Sequence, residues 1–242
     1  MKIDLDNNYL FLKGNKNNLV TNPPEDAFEQ DFTLLVETTP DVDNMIKEAK
    51  DNPFYTMCII GKNGKHIGLF VTAGTDELGK ILYKISFEWW EKTDDPDVDT
   101  VRSVDLFPTE EEMKSKLKII VQRKGKEIYL EVNGKGKTNT LGNVIDYSNS
   151  YTWIGSANRL HPEFNHIYLG ELFKLHLQKG TIFQNEWDKF FNQYQTFVEE
   201  IALNKKLTVF FTSNFENFTD YKVRDDSYNA NHIIKFSKEW LD

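Results

Sequence analysis

The 242-residue chain has one cysteine, Cys58, so no intrachain disulfide can form and no cluster of thiolates can hold zinc or an iron–sulfur centre. Arginine is almost as scarce. Only Arg102, Arg123, Arg159 and Arg224 are present, which leaves few carriers for bidentate recognition of phosphate or carboxylate. Positive charge is outweighed, with Lys+Arg at 29 against Asp+Glu at 38 and a formal charge of −9, the wrong sign for a protein whose affinity comes from neutralising phosphates. No nucleic-acid partner is expected. No run approaches the roughly 18 consecutive apolar residues of a spanning helix, so no membrane partner is expected either. Residues 1–8 carry acids where a secretion signal needs a basic region followed by an apolar stretch; the expectation is synthesis and folding in cytosol. There is no G-x-S-x-G, no Walker loop and no H-E-x-x-H, and His161 and His166 are five apart with Pro162 between them, so zinc catalysis has no support. Cys58, between Met57 and Ile59, reads as a small buried hydrophobe.

What is present is a core-forming composition, 39% apolar with 18 Phe, 10 Tyr and 5 Trp. From residue 9 to about 178, short β-branched and aromatic runs alternate with Gly, Asn, Asp or Pro, the pattern of an all-β sandwich. It predicts strands over 9–12, 32–37, 54–60, 67–72, 81–89, 116–122, 127–133, 151–154 and 168–178. Short helices are predicted over 41–50 and over 109–116, where Thr109 and Glu112 have capping-box spacing. A hairpin spans residues 116–133. With its turn at Lys124-Gly125, Lys118 pairs with Glu131, Ile120 with Tyr129 and Gln122 with Glu127. Leu117, Ile119, Val121, Ile128, Leu130 and Val132 then share the core face. Asn133-Gly134 predicts a further reversal. After Gly180, Trp187, Phe190, Phe191, Tyr194, Phe197, Val198, Ile201 and Ala202 fall at helical spacing, with Asn185 as N-cap, and predict one amphipathic helix over 181–205 that docks on its own sandwich or on a partner. The remainder, 206–242, holds an apolar run at 207–211, an aromatic loop with Phe215, Phe218 and Tyr221, and a last strand at 233–236.

The ordered series Phe11-Leu12-Lys13-Gly14, Asp31-Phe32-Thr33-Leu34-Leu35-Val36, the 117–134 hairpin, Trp153-Ile154-Gly155 and Tyr168-Leu169-Gly170-Glu171-Leu172 resembles the concanavalin A-like, laminin-G-type jelly-roll domains. The resemblance covers about residues 9–180. It implies an antiparallel jelly-roll β-sandwich over 1–180, followed by the helix (181–205) and a C-terminal tail (206–242) returning to the sheet or to a partner. Asp226-Ser227-Tyr228-Asn229-Ala230-Asn231-His232 resembles a segment placed near the start of such domains; here it stands at the end, with Tyr228 and Ala230 replacing glycines.

The same family contains laminarinase-type glucanases with an E-x-D-x-E strand. Glu127 and Glu131 match its outer positions, but Tyr129 replaces the aspartate, and the expected Lys118–Glu131 pair gives a structural use for one glutamate. Asp94, Asp95, Asp97 and Asp99 crowd four carboxylates into six residues, a weak candidate for a calcium site of the kind the family carries, without the EF-hand glycine and glutamate. Trp89, Trp90, Tyr151 and Trp153 are candidates for stacking on a sugar face, and one of Trp89 and Trp90 must point out of the core. The expected function is a non-catalytic recognition or assembly module. The resemblance and the cytosolic folding together suggest a structural or decorating component of a phage or viral particle, localised to the virion or otherwise to the cytoplasm, contacting protein partners or copies of itself. A lectin-like module binding surface glycans is the alternative, and a glucanase a third. No cofactor is expected beyond that calcium. Residues 114–137 hold eight basic residues and two acids, a local basic stretch on an acidic chain.

Overall fold

The computed structural model describes residues 2–3, 10–12, 28, 30–62, 67–92, 99–142, 152–155, 166, 168–204 and 207–214. Two antiparallel sheets pack face to face. Sheet I has seven strands: β1 (Lys2–Ile3), β12 (Gly170–Lys179), β3 (Phe32–Pro40), β8 (Leu117–Lys124), β9 (Glu127–Val132) and β10 (Lys135–Thr140) in that order, with β13 (Val209–Asn214) also paired to β12. Sheet II has six: β2 (Leu10–Leu12), β11 (Thr152–Ile154), β4 (Phe54–Lys62), β5 (Ile67–Thr75), β6 (Ile81–Lys92) and β7 (Asp99–Leu106). The expected all-β sandwich with helices is observed.

Alternation explains the core between the sheets. Leu34 and Val36 of β3, Ile119 and Val121 of β8, and Ile128 and Leu130 of β9 meet Leu69 and Val71 of β5 and Ile85, Phe87 and Trp89 of β6, all buried. Phe28, Phe32 and Phe87 form a ring cluster at one end, with centroids 5.1 to 6.0 Å apart. Glu91 is buried with its partners supplied: its Oε1 accepts from Trp89 Nε1 at 2.7 Å and from the Gly142 amide at 2.5 Å, and Arg102 Nε lies 3.6 Å from its Oε2. That carboxylate ties the segment after β10 to sheet II. Across the gap, the Asn139 amide donates to the Ser103 carbonyl.

The 117–132 hairpin has the expected faces but a different register. Ile120 lies opposite Glu131, Gln122 opposite Tyr129 and Lys124 opposite Glu127, so the turn is Gly125-Lys126. Glycine at φ +59 in the first central position is what a II′ hairpin turn requires, which moves the turn one residue onward from Lys124-Gly125. Every pair shifts by two and no face changes. At Asn133-Gly134 both residues have positive φ, as a I′ turn demands, and the chain reverses into β10.

The helix α1 (Val42–Asp51) is capped by Asp41, which accepts from the Asn44 amide, and α2 (Glu110–Lys114) carries the complete Thr109/Glu112 capping box. The expected single helix over 181–205 is instead two, α3 (Gln184–Asn192) and α4 (Tyr194–Leu203), broken at Gln193 with ψ +52. In one straight helix Lys189 and Glu200 would stand about 16 Å apart along the axis. Here Lys189 Nζ touches both Glu200 oxygens at 2.6 and 2.7 Å, so the pair folds back on itself. The N-cap is Phe183 and not the expected Asn185, and the Phe183 amide is taken by the Glu186 carboxylate. Both helices lie on the outer face of sheet I, where Phe190, Phe191, Phe197 and Ile201 cover Leu35, Ile120 and Val209. The chain then returns through β13 to pair with β12. The expected strand over 233–236, the aromatics Phe215, Phe218 and Tyr221 and the 226–232 motif lie outside the described residues.

Among the described residues no helix is long and apolar enough to cross a membrane.

Candidate functional site

With the outer face of sheet I covered by α3 and α4, the candidate surface among the described residues is the outer face of sheet II, which is exposed at Phe54 and Leu82 and buried at Cys58, Phe70 and Ser86. The segment Lys84-Ile85-Ser86-Phe87-Glu88-Trp89-Trp90 builds it by simple alternation. Ile85, Phe87 and Trp89 point into the core, and Lys84, Ser86, Glu88 and Trp90 face outward. Ser86 Oγ donates to Glu88 Oε1 at 2.7 Å, and Lys84 Nζ lies 3.3 Å from the same oxygen. On β7, Ser103 Oγ donates to Asp105 Oδ2 at 3.0 Å, while Asp105 Oδ1 is buried without a hydrogen bond.

Strand register arranges these residues in rows. One row runs Phe11, Trp153, Gly61, Gly68, Glu88, Ser103 across all six strands. The next runs Cys58, Phe70, Ser86, Asp105. A bulge in β4 between Cys58 and Ile60 pushes that strand's backbone toward Gly68, where a Cβ would stand 2.5 Å from the Ile60 carbonyl oxygen; only glycine fits. His166 flanks the second row: its carbonyl accepts from the Cys58 amide at 2.9 Å, and its ring meets Phe70 edge-on at 6.1 Å. Burial pushes the Cys58 thiol well up and the His166 imidazole down, so the first is an inert thiol and the second is neutral at neutral pH. The far end of the face is apolar. Phe54, Gly74 and Leu82 form a row in which Phe54 is 76% and Leu82 49% exposed, with the Phe54 ring lying over Gly74.

The residues expected from sequence fall in several places. Trp89 is 1% exposed and donates to Glu91, so its ring belongs to the core, whereas Trp90 is half-buried on the outer face. Trp153 shares the row of Glu88; Tyr151 lies outside the described residues. Asp94, Asp95 and Asp97 also lie outside them, and Asp99 opens β7 opposite Lys92, in a strand and not in a loop. Among the described residues no group of three or more His, Cys, Asp or Glu side chains is arranged to hold a metal ion.

Glu127 and Glu131 lie on sheet I, and the expected Lys118–Glu131 pair is absent because of the shifted register. Lys118 faces Glu37 across β3 and donates to Asn192 of α3, and Glu131 instead accepts from the Tyr129 hydroxyl at 2.5 Å. Burial, and then that contact, push the Tyr129 hydroxyl up to about 12, and its ring stacks on Trp187 of α3 with centroids 6.2 Å apart. The basic stretch 114–137 is partly spent on ion pairs: Lys114 with Glu110, Lys116 with Glu37 and Lys135 with Glu112. The Lys135 contact, with the cap hydrogen bonds, holds the Glu112 carboxyl down to about 2.

Reasoning from sequence passed over Ser86, Glu88, Ser103 and Asp105. The signal for the first two was the alternation in residues 84–90. Nothing comparable marked β7, whose pairing with β6 is needed to bring Ser103 beside Glu88.

No protein-family model matches the chain, and comparison with curated proteins returns no match.

Proposed function

We propose that the chain is a non-catalytic recognition and assembly module of the concanavalin A-like, laminin-G type, and that it serves as a structural or decorating component of a phage or viral particle. The observation that carries this reading is the inequality of the two outer faces: α3 and α4 occupy sheet I, while sheet II leaves Phe54 and Leu82 exposed at one end, next to Lys84 on the outward side of β6. An apolar patch rimmed by polar groups is the composition of a protein-contact surface. A buried lone cysteine, with stability drawn from packing, suits folding in the reducing cytosol where such particles are built. The partners are other particle proteins or copies of the same chain, and no cofactor is part of the reading.

The test is sedimentation of the purified chain alone and with particles. Self-association or particle binding that is lost in Phe54→Asp/Leu82→Asp, with the fold retained, is the expected result. A chain that stays monomeric and binds no particle sinks the assembly reading, and release of reducing sugar from a β-glucan would sink the non-catalytic one.

A second reading, a lectin-like glycan-binding module, is favoured by one feature of the same face. Trp90 stands two residues from Glu88 on the outer side of β6, an aromatic ring next to carboxylate and hydroxyl groups that take sugar hydroxyls. Saturable binding on a glycan panel, lost in Trp90→Ala and insensitive to chelator, is the outcome expected of it; a blank panel removes it.

A further inference from the structure

The apolar contacts of the helix pair form a cluster of their own. Leu35, Ile120, Ile182, Phe190, Phe191, Phe197, Ile201 and Val209 are packed together on the outside of sheet I and are separate from the core between the sheets. The sandwich core is therefore complete without α3 and α4. The pair is entered at Gly180, whose φ of +80 belongs to glycine, and is pinned by a few polar contacts: Gln122 to the Ile182 carbonyl at 2.8 Å, Lys174 to the Phe191 carbonyl at 2.8 Å, and Tyr194 with Thr212 at 3.2 Å.

At the centre of this contact lies His176 of β12, fully buried under Phe197 (4.9 Å, edge-on) and Phe190 (6.0 Å). Its Nε2 is 2.7 Å from Gln178 Oε1, and the Gln178 amide nitrogen is turned to the Lys179 carbonyl, so Nε2 carries the proton. Its Nδ1 is buried with no hydrogen-bond partner. Protonation would place a charge in an aromatic pocket and create a donor with no acceptor. Among the described residues, no hydrogen-bond acceptor is placed at this Nδ1, and the groups facing the pocket can be named element by element. On β12 they are Lys174 and Gln178; on β3, Leu35 lies opposite and Glu37 is held by Lys174 at 3.0 Å; on β13, Thr212 lies opposite; Phe190 comes from α3, and Tyr194 and Phe197 from α4.

We propose that α3 and α4 form an acid-released cover over sheet I, with His176 as the group whose protonation opens it and exposes the apolar face of Leu35 and Ile120. Burial holds the closed imidazole at about 4 against an ordinary 6.5. In the open form it is solvated and regains the ordinary value, so the open form binds more protons between those two values. Closure is fully stable above the ordinary value and weakens as pH falls toward 4. The device is independent of what the face of sheet II binds.

The test is hydrogen exchange on the full chain, as protection factors corrected for intrinsic rates, at about pH 7 and about pH 4.5. The amides of α3 and α4 should lose protection on the order of 10²-fold relative to β5 and β6, and His176→Gln should abolish the difference. If that variant does not fold, the wild-type slope decides: one decade of protection per pH unit below the ordinary value, the signature of one proton. Three results overturn the proposal: loss of protection in the helices and in β5 and β6 together, no loss at all, or a pH dependence that survives His176→Gln.

Discussion

Leu35 and Ile120 stand on the outer face of sheet I, and Phe54 and Leu82 stand on the outer face of sheet II. All four are large apolar residues pointing away from the core between the sheets, yet the first two are buried and the second two exposed. Strand alternation treats the pairs alike. What separates them is a layer that comes from elsewhere in the chain, the aromatic side of α3 and α4, which covers Leu35 and Ile120; on sheet II the outward Cys58, Phe70 and Ser86 are buried too, and Phe54 and Leu82 at its far end are not. The same layer changes the polar residues. On sheet I the carboxylate of Glu37 is sealed in with Lys174; on sheet II the carboxylate of Glu88 is engaged by Ser86 and Lys84 on the outward side of β6. The comparison teaches that an outward-facing residue in a sandwich has no fixed environment until the third layer is known.

The contrast can be broken by substitution. Phe190→Ala removes a fully buried ring between His176, Phe191, Tyr194 and Phe197, and should cost about 4 kcal/mol in denaturant unfolding if the helix layer unfolds with the sandwich. A separate early transition of the helices would show instead that the two layers melt independently. Lys174→Met leaves Glu37 as a buried charge whose remaining ion-pair partner, Lys116, is 3.9 Å away, and should cost about 3 kcal/mol; the double change Glu37→Leu/Lys174→Met should restore most of it. Equal losses in the single and double variants would mean that the pair contributes packing and not charge. Gly68→Ala drives a Cβ into the bulged β4 and should cost about 2 kcal/mol, a loss confined to sheet II. Phe54→Ser should change stability by no more than about 0.5 kcal/mol, because the ring is exposed. A larger loss there would mean that the Phe54 end of sheet II is also covered, and the comparison would collapse.

The strands were legible wherever apolar and polar residues alternate, as in β3, β5, β6, β8 and β9. Strand β10, Lys-Gly-Lys-Thr-Asn-Thr, was not, because every residue in it is exposed and no apolar side marks it. Its presence was implied only by the Asn133-Gly134 turn. Strand β7 was missed for a related reason: Asp99-Thr100-Val101-Arg102-Ser103-Val104-Asp105-Leu106 mixes charge into both faces, and Arg102, on the same alternation as Val104 but exposed, reaches Glu91 at the sheet edge. The helix pair shows the opposite failure. Its spacing is continuous from Trp187 to Ala202, so periodicity finds no break. The break comes from packing, which brings Phe190 and Phe197 within 5.4 Å of each other and both onto His176. For the candidate site, it was legible that one of Trp89 and Trp90 faces outward, and the structure shows that it is Trp90. Glu88, Ser103 and Asp105 required the register of β6 on β7.

The sequence by itself determined a sandwich without disulfides, most of its strands, the inward and outward residues of the 117–132 hairpin, and an aromatic amphipathic segment in search of a surface. Those are consequences of local period and composition, which act within a few residues. Only the tertiary structure decided that this segment bends at Gln193 and closes on sheet I, that a II′ turn shifts the hairpin register by two, and that Glu88, Ser103 and the exposed Phe54 and Leu82 share one face. Such choices depend on which surfaces meet across many residues of chain, and a one-dimensional pattern carries no information about which of two equivalent apolar faces a distant helix will cover.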